Sequence, residues 1–588
     1  MMSQNSIAER VKMTQQPWLT KYPSEVNPQL RAINYPHLPA LLREASEQYA
    51  EAIAFTQCMP NGMNGSLTYK QIDELSDDFA VYLREVVKLN AGDRVAVQMP
   101  NCLSYPVVAF GVMKAGCVLV NTNPLYTATE MIHQFSDSGA RALVIIDMFA
   151  DRLPEVLPQT QIETVITVKI SQFFPRIVGG VIRLVQKIWN RSLPKITVPH
   201  TQLPEALSAG ASHAKRKAVN SYVADLKADS IAALQYTGGT TGVSKGAMLS
   251  HGNLIANTLQ MIQMAGSFIR LGKETVITAI PLYHIFAFTV NLLGFYHVGA
   301  RNIVIPNPRP PSNLKRAFEN YKITWVTGVN TLYNALLKER WFLDGPPKHL
   351  RASVAGGMAL HQSVATNWQE VTKTPLVEGF GLTESAPVLT FNPLDGSAKL
   401  GTIGIPVPST EIKLVDDSGK EVATGEAGEL LARGPQIMLG YWANEKESAN
   451  TISDGWLKTG DIAQMDADGF FTIVDRKKDV ILVSGFNVYP NEVEERIASV
   501  PGVLEVGVVG LPDESLGEKV CAYVVTNSPA PTEEQIVNHC REHLARYKVP
   551  KAIVFVNELP KSPIGKILRR ELRKMAMSGS VDAKDGNK

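Results

Sequence analysis

Between about residues 37 and 430, helical patterns alternate with short, continuously apolar runs, among them Arg94-Val-Ala-Val-Gln-Met99, Ala142-Leu-Val-Ile-Ile146 and Thr275-Val-Ile-Thr-Ala-Ile280. A run of this length without a polar face predicts a strand covered on both sides. Strands of that kind separated by helices predict an α/β fold of stacked layers with largely parallel sheets. After Gly425-Glu-Ala-Gly-Glu429 the texture turns to β-rich pieces, and Asp466-Ala-Asp-Gly469 ahead of Phe470-Phe-Thr-Ile-Val474 reads as a hairpin turn. Beyond Arg476 the pattern predicts a helix at 491–499, strands around Val503–Val509 and Lys519–Val525, and a helix at 533–546, together a compact α+β unit. The expected organisation is an N-terminal extension (1–36), a large domain of layered α/β subdomains plus a β-rich subdomain (37–476), a small α+β domain (477–575) and a small, polar, disordered tail (576–588).

Composition narrows the function. The 588 residues are 45% hydrophobic and 19% charged, ordinary for a globular chain of more than one domain. A formal charge of +2, with no basic run interleaved with aromatics, argues against a nucleic-acid partner. The cysteines at 58, 102, 117, 521 and 540 are scattered and contain no C-x-x-C pair, so neither a disulfide framework nor a zinc site is expected, and a reducing cytoplasm fits. No secretory signal and no run of 18 apolar residues is present, which predicts no membrane span. Phe173 to Trp189 mixes bulky apolar residues with Arg176, Arg183 and Lys187 and no acid. Such a helix either lies in a bilayer interface or packs on its own domain.

One loop concentrates what a polyphosphate needs: Tyr236, Thr237, Gly238, Gly239, Thr240, Thr241, Gly242, Val243, Ser244, Lys245, Gly246 and Ala247. The glycines let backbone N–H groups converge on an anion, the threonines add hydroxyl donors and Lys245 adds a mobile charge. A Walker loop needs Gly-Lys followed by Ser or Thr, whereas the order here is Ser244-Lys245-Gly246. Gly242-Val-Ser-Lys-Gly246 also spells the hydrolase G-x-S-x-G string, but the strand-like run Ile231–Tyr236 stops well short of Ser244 and the next helix start is Ser250, so the elbow is missing. A flexible Gly/Thr turn is the plainer alternative.

Six motifs then occur in register: this loop, Gly379-Phe-Gly-Leu-Thr-Glu384, Thr459-Gly-Asp461, Asp475-Arg-Lys-Lys-Asp479, Ser484-Gly-Phe-Asn-Val-Tyr-Pro490 and Pro560-Lys-Ser-Pro-Ile-Gly-Lys566. Together they resemble the adenylate-forming, or acyl-activating, enzyme superfamily over nearly the whole chain. The stretch from Asp454-Gly-Trp-Leu-Lys-Thr-Gly-Asp461 to Val474-Asp-Arg-Lys-Lys478 is most similar to bacterial long-chain fatty-acid–CoA ligases. The resemblance implies that the loop grips the β- and γ-phosphates of ATP, that Thr383 contacts the α-phosphate and that Glu384 helps hold Mg²⁺. Gly356, Gly357, Gly379, Phe380 and Gly381 would form the adenine slot, with Phe380 in place of the commoner tyrosine. Asp461 would accept both ribose hydroxyls with Arg476 beside it, and His284 would border the acyl carboxylate. Lys566 would neutralise charge as the carboxylate attacks the α-phosphate, Lys478 would be the hinge of a mobile C-terminal domain, and Gly485 would line the pantetheine path of CoA.

Bland readings stand beside these. Glu384 alone is a helix N-terminal acid, His284 a core histidine, Asp461 and Arg476 a turn or surface ion pair, and Lys566 an exposed lysine. The apolar region around His284, with Val326–Asn330, Leu332 and Tyr333, walls an alkyl tunnel or is ordinary core. Read together, the motifs predict a Mg²⁺-dependent ligase that converts a fatty acid, ATP and CoA to acyl-CoA, AMP and pyrophosphate through acyl-AMP. Peripheral contact with the cytoplasmic face of a membrane and a homodimer are further expectations. A medium-chain or aryl acid, a carrier-protein thiol in place of CoA, and a non-catalytic ATP or acyl-CoA sensor are the rivals.

Overall fold

The computed structural model describes residues 16–188, 193–213, 216–237, 244–513, 515–562 and 565–578. The apolar runs become strands closed off from water: Ala142–Ile146 and Val118–Thr122 are buried at every position. They belong to a seven-stranded sheet ordered Thr201–Gln202, Thr164–Val168, Ala142–Ile146, Arg94–Gln98, Val118–Thr122, Ile231–Thr237 and Lys245–Ser250, parallel except for the last pair. A nine-stranded sheet is parallel through its middle, where Arg301–Val304, Thr275–Thr278, Trp325–Gly328, Ala352–Ala355 and Leu376–Gly381 lie side by side, and antiparallel at both ends. This is the layered α/β arrangement the alternation predicts.

The helix that leaves the Lys245–Ser250 strand is His251–Ala265. Ser250 is its N-cap, with a reciprocal capping box to Asn253, so the helix starts where the sequence places it. A five-stranded antiparallel sheet follows, in which Trp456–Met465 and Phe471–Arg476 form the hairpin turned by Asp466–Gly469. Gly469 sits at φ +87° with no room for a side chain, since an added Cβ would lie 2.3 Å from the Trp18 nitrogen. The N-terminal segment is thereby tied down. Trp18 is buried against Phe471, and Tyr22 Oη donates to the Pro406 carbonyl at 2.7 Å.

The small unit has its own core, gathered on the paired strands Val503–Asp513 and Gly517–Thr526 and the helices Pro490–Ala498 and Glu533–His543. Its last helix is Arg569–Ser578. Residues 576–578 are therefore helical rather than part of a disordered tail, because Leu572 anchors the helix, fully buried, beside Val509 and Leu559. Residues 579–588 lie outside the described residues.

Candidate active site

A cavity of about 1520 Å³ opens at the C-terminal ends of the parallel strands of both large sheets and is closed by the β-rich sheet and the small domain. Strand ends are where an α/β sheet offers backbone groups and loops to a ligand.

On its seven-stranded side stand Tyr236, Thr237 and Lys245. Tyr236 Oη donates to Asp137 Oδ2 at 2.5 Å, and the same ring packs on Gly246, where an added Cβ would come within 3.0 Å of it. Ala247 is buried and bridges to Tyr441, and the Ser244 carbonyl accepts from His133 Nε2 at 3.0 Å. Lys245 Nζ pairs with Glu447 and lies 5.3 Å from the centre of the Tyr441 ring. Gly238, Gly239, Thr240, Thr241, Gly242 and Val243 lie outside the described residues.

A flat slot follows. Gly356 and Gly379 face each other so closely that a Cβ on Gly356 would meet the Gly379 carbonyl at 3.2 Å and the Phe286 ring at the same distance. Gly357 adopts φ +79° with open space beside it. Gly381 has the least freedom: a Cβ there would lie 1.9 Å from the Pro387 carbonyl oxygen. Phe380 and Thr383 line the cavity, and Glu384 presents a carboxylate whose Oε1 accepts from Tyr441 Oη at 2.7 Å. Tyr441 thus joins the Lys245 and Glu384 corners. A hard oxygen donor beside the Lys245 cradle is a donor set that fits a Mg²⁺ ion shared with phosphates.

Asp461 and Arg476 are cross-strand partners, with Arg476 Nε 2.9 Å from Asp461 Oδ1. Asp461 is 2% exposed, and its Oδ2 has no hydrogen-bond partner among the described residues. An orphaned buried carboxylate oxygen is costly unless a ligand donor meets it, and a sugar hydroxyl is such a donor. Burial holds the Asp461 carboxyl above its ordinary range, with Arg476 and Lys566 opposing.

Lys566 reaches the same corner from a turn of the small domain, where its N–H donates to Ser562 Oγ at 3.1 Å. The charge of Arg476, then burial, lowers its pKa from 10.5 to about 8. Gly565, at φ +90°, lets this turn press on the large domain, since a Cβ there would lie 2.7 Å from Thr331 Oγ1. His284 caps a short helical turn, its Nδ1 accepting from the Phe286 N–H at 3.3 Å. Burial, then the charge of Lys566, lowers its pKa to about 4. The ring is therefore neutral at pH 7 and carries its proton on Nε2, an N–H donor for an anion.

Below His284 the cavity continues between the His251–Ala265 helix, the π-helical turn Phe288–Phe295 and the strand Trp325–Gly328. Trp325 and Thr327 line this apolar branch. Val326, Leu332 and Tyr333 do not, because strand alternation and the far face of the Asn330–Leu336 helix send them into the opposite core, while Asn330 and Thr331 on the same helix line the cavity. Lys478 stands at the cavity rim in an exposed turn. Gly485 is not brought in: it occupies the exposed turn between Ile481–Val483 and Phe486–Val488, where φ +83° rather than slenderness calls for glycine. Sequence reasoning also missed Tyr441 and Glu447, which backbone bonds Met248 N to Gly440 O and Trp442 N to Gly246 O carry to the site from about 200 residues away.

Comparisons with known proteins identify the family. The family model of AMP-binding enzymes matches residues 42–442, and that of the AMP-binding enzyme C-terminal domain matches 492–566. The chain is 47% identical over 567 residues to a long-chain-fatty-acid–CoA ligase of Salmonella typhimurium, covering 96% of this chain and 99% of the relative. It is 34% identical to the Bacillus subtilis protein of the same name, covering 95% and 98%. Among solved structures, an anthranilate CoA ligase in complex with anthranoyl-AMP superposes with a TM-score of 0.78 at 26% identity, over 93% of this chain and 99% of that one. An ATP-bound RpMatB-BxBclM chimera gives 0.77 at 27%, over 92% and 99%.

Proposed function

The chain belongs to the AMP-binding, adenylate-forming enzyme family, and we propose that it is a long-chain fatty-acid–CoA ligase that works through acyl-AMP. The observation that carries this reading is a single cavity joining a charged corner, built by Lys566, Arg476 and the orphaned Asp461 oxygen, to an apolar branch beneath His284. A fatty acid is a carboxylate on an alkyl chain, and the cavity has a place for each part.

In this reading the ribose donates to Asp461 Oδ2, adenine enters the slot between Gly356–Gly357 and Phe380, and the triphosphate lies along Thr237, Lys245 and the loop between them. His284 Nε2–H and Lys566 orient the carboxylate. One of its oxygens attacks the α-phosphorus, the bond to pyrophosphate breaks, and Lys566 with Thr383 offsets the charge that gathers in between. Glu384 would hold Mg²⁺, which when bound neutralises phosphate oxygens. In the second step the CoA sulfur attacks the acyl carbon, the carbon–oxygen bond to AMP breaks and the thiol proton is released. The attacking sulfur comes from CoA, so this reading assigns no protein nucleophile. Access for the thiol requires the Lys566 turn to withdraw, with Lys478 as pivot and Gly485 carried toward the acyl carbon.

The test is nucleotide analysis of a reaction with ATP, Mg²⁺, CoA and a long saturated or monounsaturated acid. AMP and acyl-CoA in equal amounts are expected. ADP as product, or far better turnover of acetate or coumarate, overturns the reading.

We further propose that the helix Arg176–Ile188 docks on the cytoplasmic face of a membrane, where an insoluble substrate collects. Ile177, Val181, Leu184, Val185 and Ile188 recur on one face and are exposed, Ile177 at 83% and Ile188 at 62%, while Ile182 and Gln186 face inward. Arg176 and Lys187 flank that face, whereas Arg183, part-exposed, pairs with Asp147. Trp189 lies outside the described residues, among which no helix is long and apolar enough to cross a membrane.

A further inference from the structure

The apolar branch has a floor. On the Trp325–Gly328 strand the cavity side carries Trp325 and Thr327, and two residues of strand span about 6.6 Å. Trp325 therefore lies about that much deeper than Thr327, on the side away from the strand ends where Gly356 and Gly379 stand. Trp325 is 2% exposed, and its ring meets Phe295 edge to face at 5.6 Å and 65°. Its indole nitrogen has no hydrogen-bond partner among the described residues, so packing alone holds the ring in place. Gly294, the residue before Phe295, lines the same branch without a side chain of its own. A Cβ there would come within 3.3 Å of the Thr289 carbonyl and 3.9 Å of Met261 Cε.

We propose that Trp325, backed by Phe295, is the stop that sets the longest alkyl chain the acyl branch accepts, and that Gly294 keeps the passage above it wide. This rests on the fatty-acid reading above. Each methylene that leaves water for an apolar wall raises kcat/KM roughly fourfold, the equivalent of ~0.8 kcal/mol. A methylene that meets a close-packed indole gains nothing and must displace the ring. A plot of log kcat/KM against chain length thus climbs steadily and breaks where the terminal methyl touches Trp325.

The experiment measures kcat/KM for AMP formation over a homologous series of saturated acids in two-carbon steps, for the wild-type protein, Trp325→Ala, Trp325→Leu and Gly294→Ala, with thermal unfolding to confirm that each is folded. The leucine variant fills most of the space and guards against loss of the alanine variant to a collapsed core. The break is expected to move to longer acids, by one or more two-carbon steps, in both Trp325 variants and to shorter acids in Gly294→Ala, while the slope below the break stays near fourfold per methylene. A break at the same length in every folded protein overturns the assignment and returns Trp325 to ordinary core. A wild-type protein that makes no AMP with any alkyl acid overturns the fatty-acid reading itself, and this inference with it.

Discussion

Raising the pH through 8 should switch off acyl-AMP formation by discharging Lys566, and replacing Arg476 should move that transition upward. Lysine ordinarily titrates at 10.5, but the guanidinium of Arg476 and, second, burial bring Lys566 to about 8. In the proposed mechanism the competent form is the charged one, so activity should be present below that value and lost as pH rises through it. At one unit above its pKa a group is about one-eleventh protonated, and kcat/KM for the adenylation half-reaction falls about tenfold per further unit. Arg476→Gln removes the leading cause of the shift. It also unpairs Asp461, whose carboxylate pulls the Lys566 pKa up. The alkaline limb should then move toward the ordinary lysine value, although the rate falls at every pH because the sugar loses a neighbour. The readout is the position of the limb, not its height. Single-turnover formation of acyl-AMP without CoA, measured from pH 6.5 to 10, provides it, and Lys566→Arg should flatten the limb because guanidinium does not titrate in that range. A limb that stays at about 8 in Arg476→Gln, or moves down, refutes the electrostatic account.

Two further outcomes follow from the joint and from the exposed helix. Lys566→Ala should slow acyl-AMP formation by about 10² to 10³ yet leave thioester formation from supplied acyl-AMP nearly intact, and Lys478→Pro, which fixes φ at the pivot, should do the reverse. Equal loss of both half-reactions in the two variants would sink the domain-swing assignment. Arg176 and Lys187 should each contribute roughly 1 kcal/mol to binding anionic vesicles at moderate salt, so flotation should weaken in an Arg176→Glu/Lys187→Glu variant and at higher ionic strength. Flotation unchanged by both treatments would refute docking through this face.

The parts legible in the sequence are those whose cause is local. Ala142–Ile146 declares a buried strand because every side chain is apolar, and Ser250 declares a helix start because its hydroxyl and Asn253 cap each other within one turn. The Asp466–Gly469 turn is legible for the same reason. What escaped depends on partners far along the chain. Glu447 meets Lys245 only because the segment around Tyr441 pairs with the Lys245–Ser250 strand, and nothing near Glu447 announces this. Arg183 looked like a cation for lipid until Asp147, on another element, claimed it. Gly485 carried the right residue type for a slender passage, yet its backbone angle alone accounts for it where it stands. Trp325 lies one residue outside the segment Val326–Asn330, expected either to wall an alkyl tunnel or to form ordinary core, and strand alternation turns Trp325 and Thr327 to the cavity and Val326 to the opposite core.

The contacts around Asp475 bear on how the proposed swing would let one site serve two reactions. Asp475, the residue before Arg476, is fully buried and accepts from the Asn491 and Arg476 N–H groups, both at 2.7 Å, and from Arg569 at 3.0 Å. Burial raises its pKa to about 6, with Arg569 opposing. Asn491 lies on the Pro490–Ala498 helix and Arg569 on the Arg569–Ser578 helix, whereas Asp475 lies on the Phe471–Arg476 strand, so the proposed swing about Lys478 would break these contacts together. A buried ionic cluster is geometrically demanding but adds little net stability, because water solvates the same groups once they part. Apolar packing of equal area would hold the closed arrangement far more tightly and would make withdrawal of Lys566 slow. In the proposed cycle a charged socket at Asp475 would define where Lys566 sits in the closed arrangement and leave the opening inexpensive, as a two-step ligase with one cavity would require.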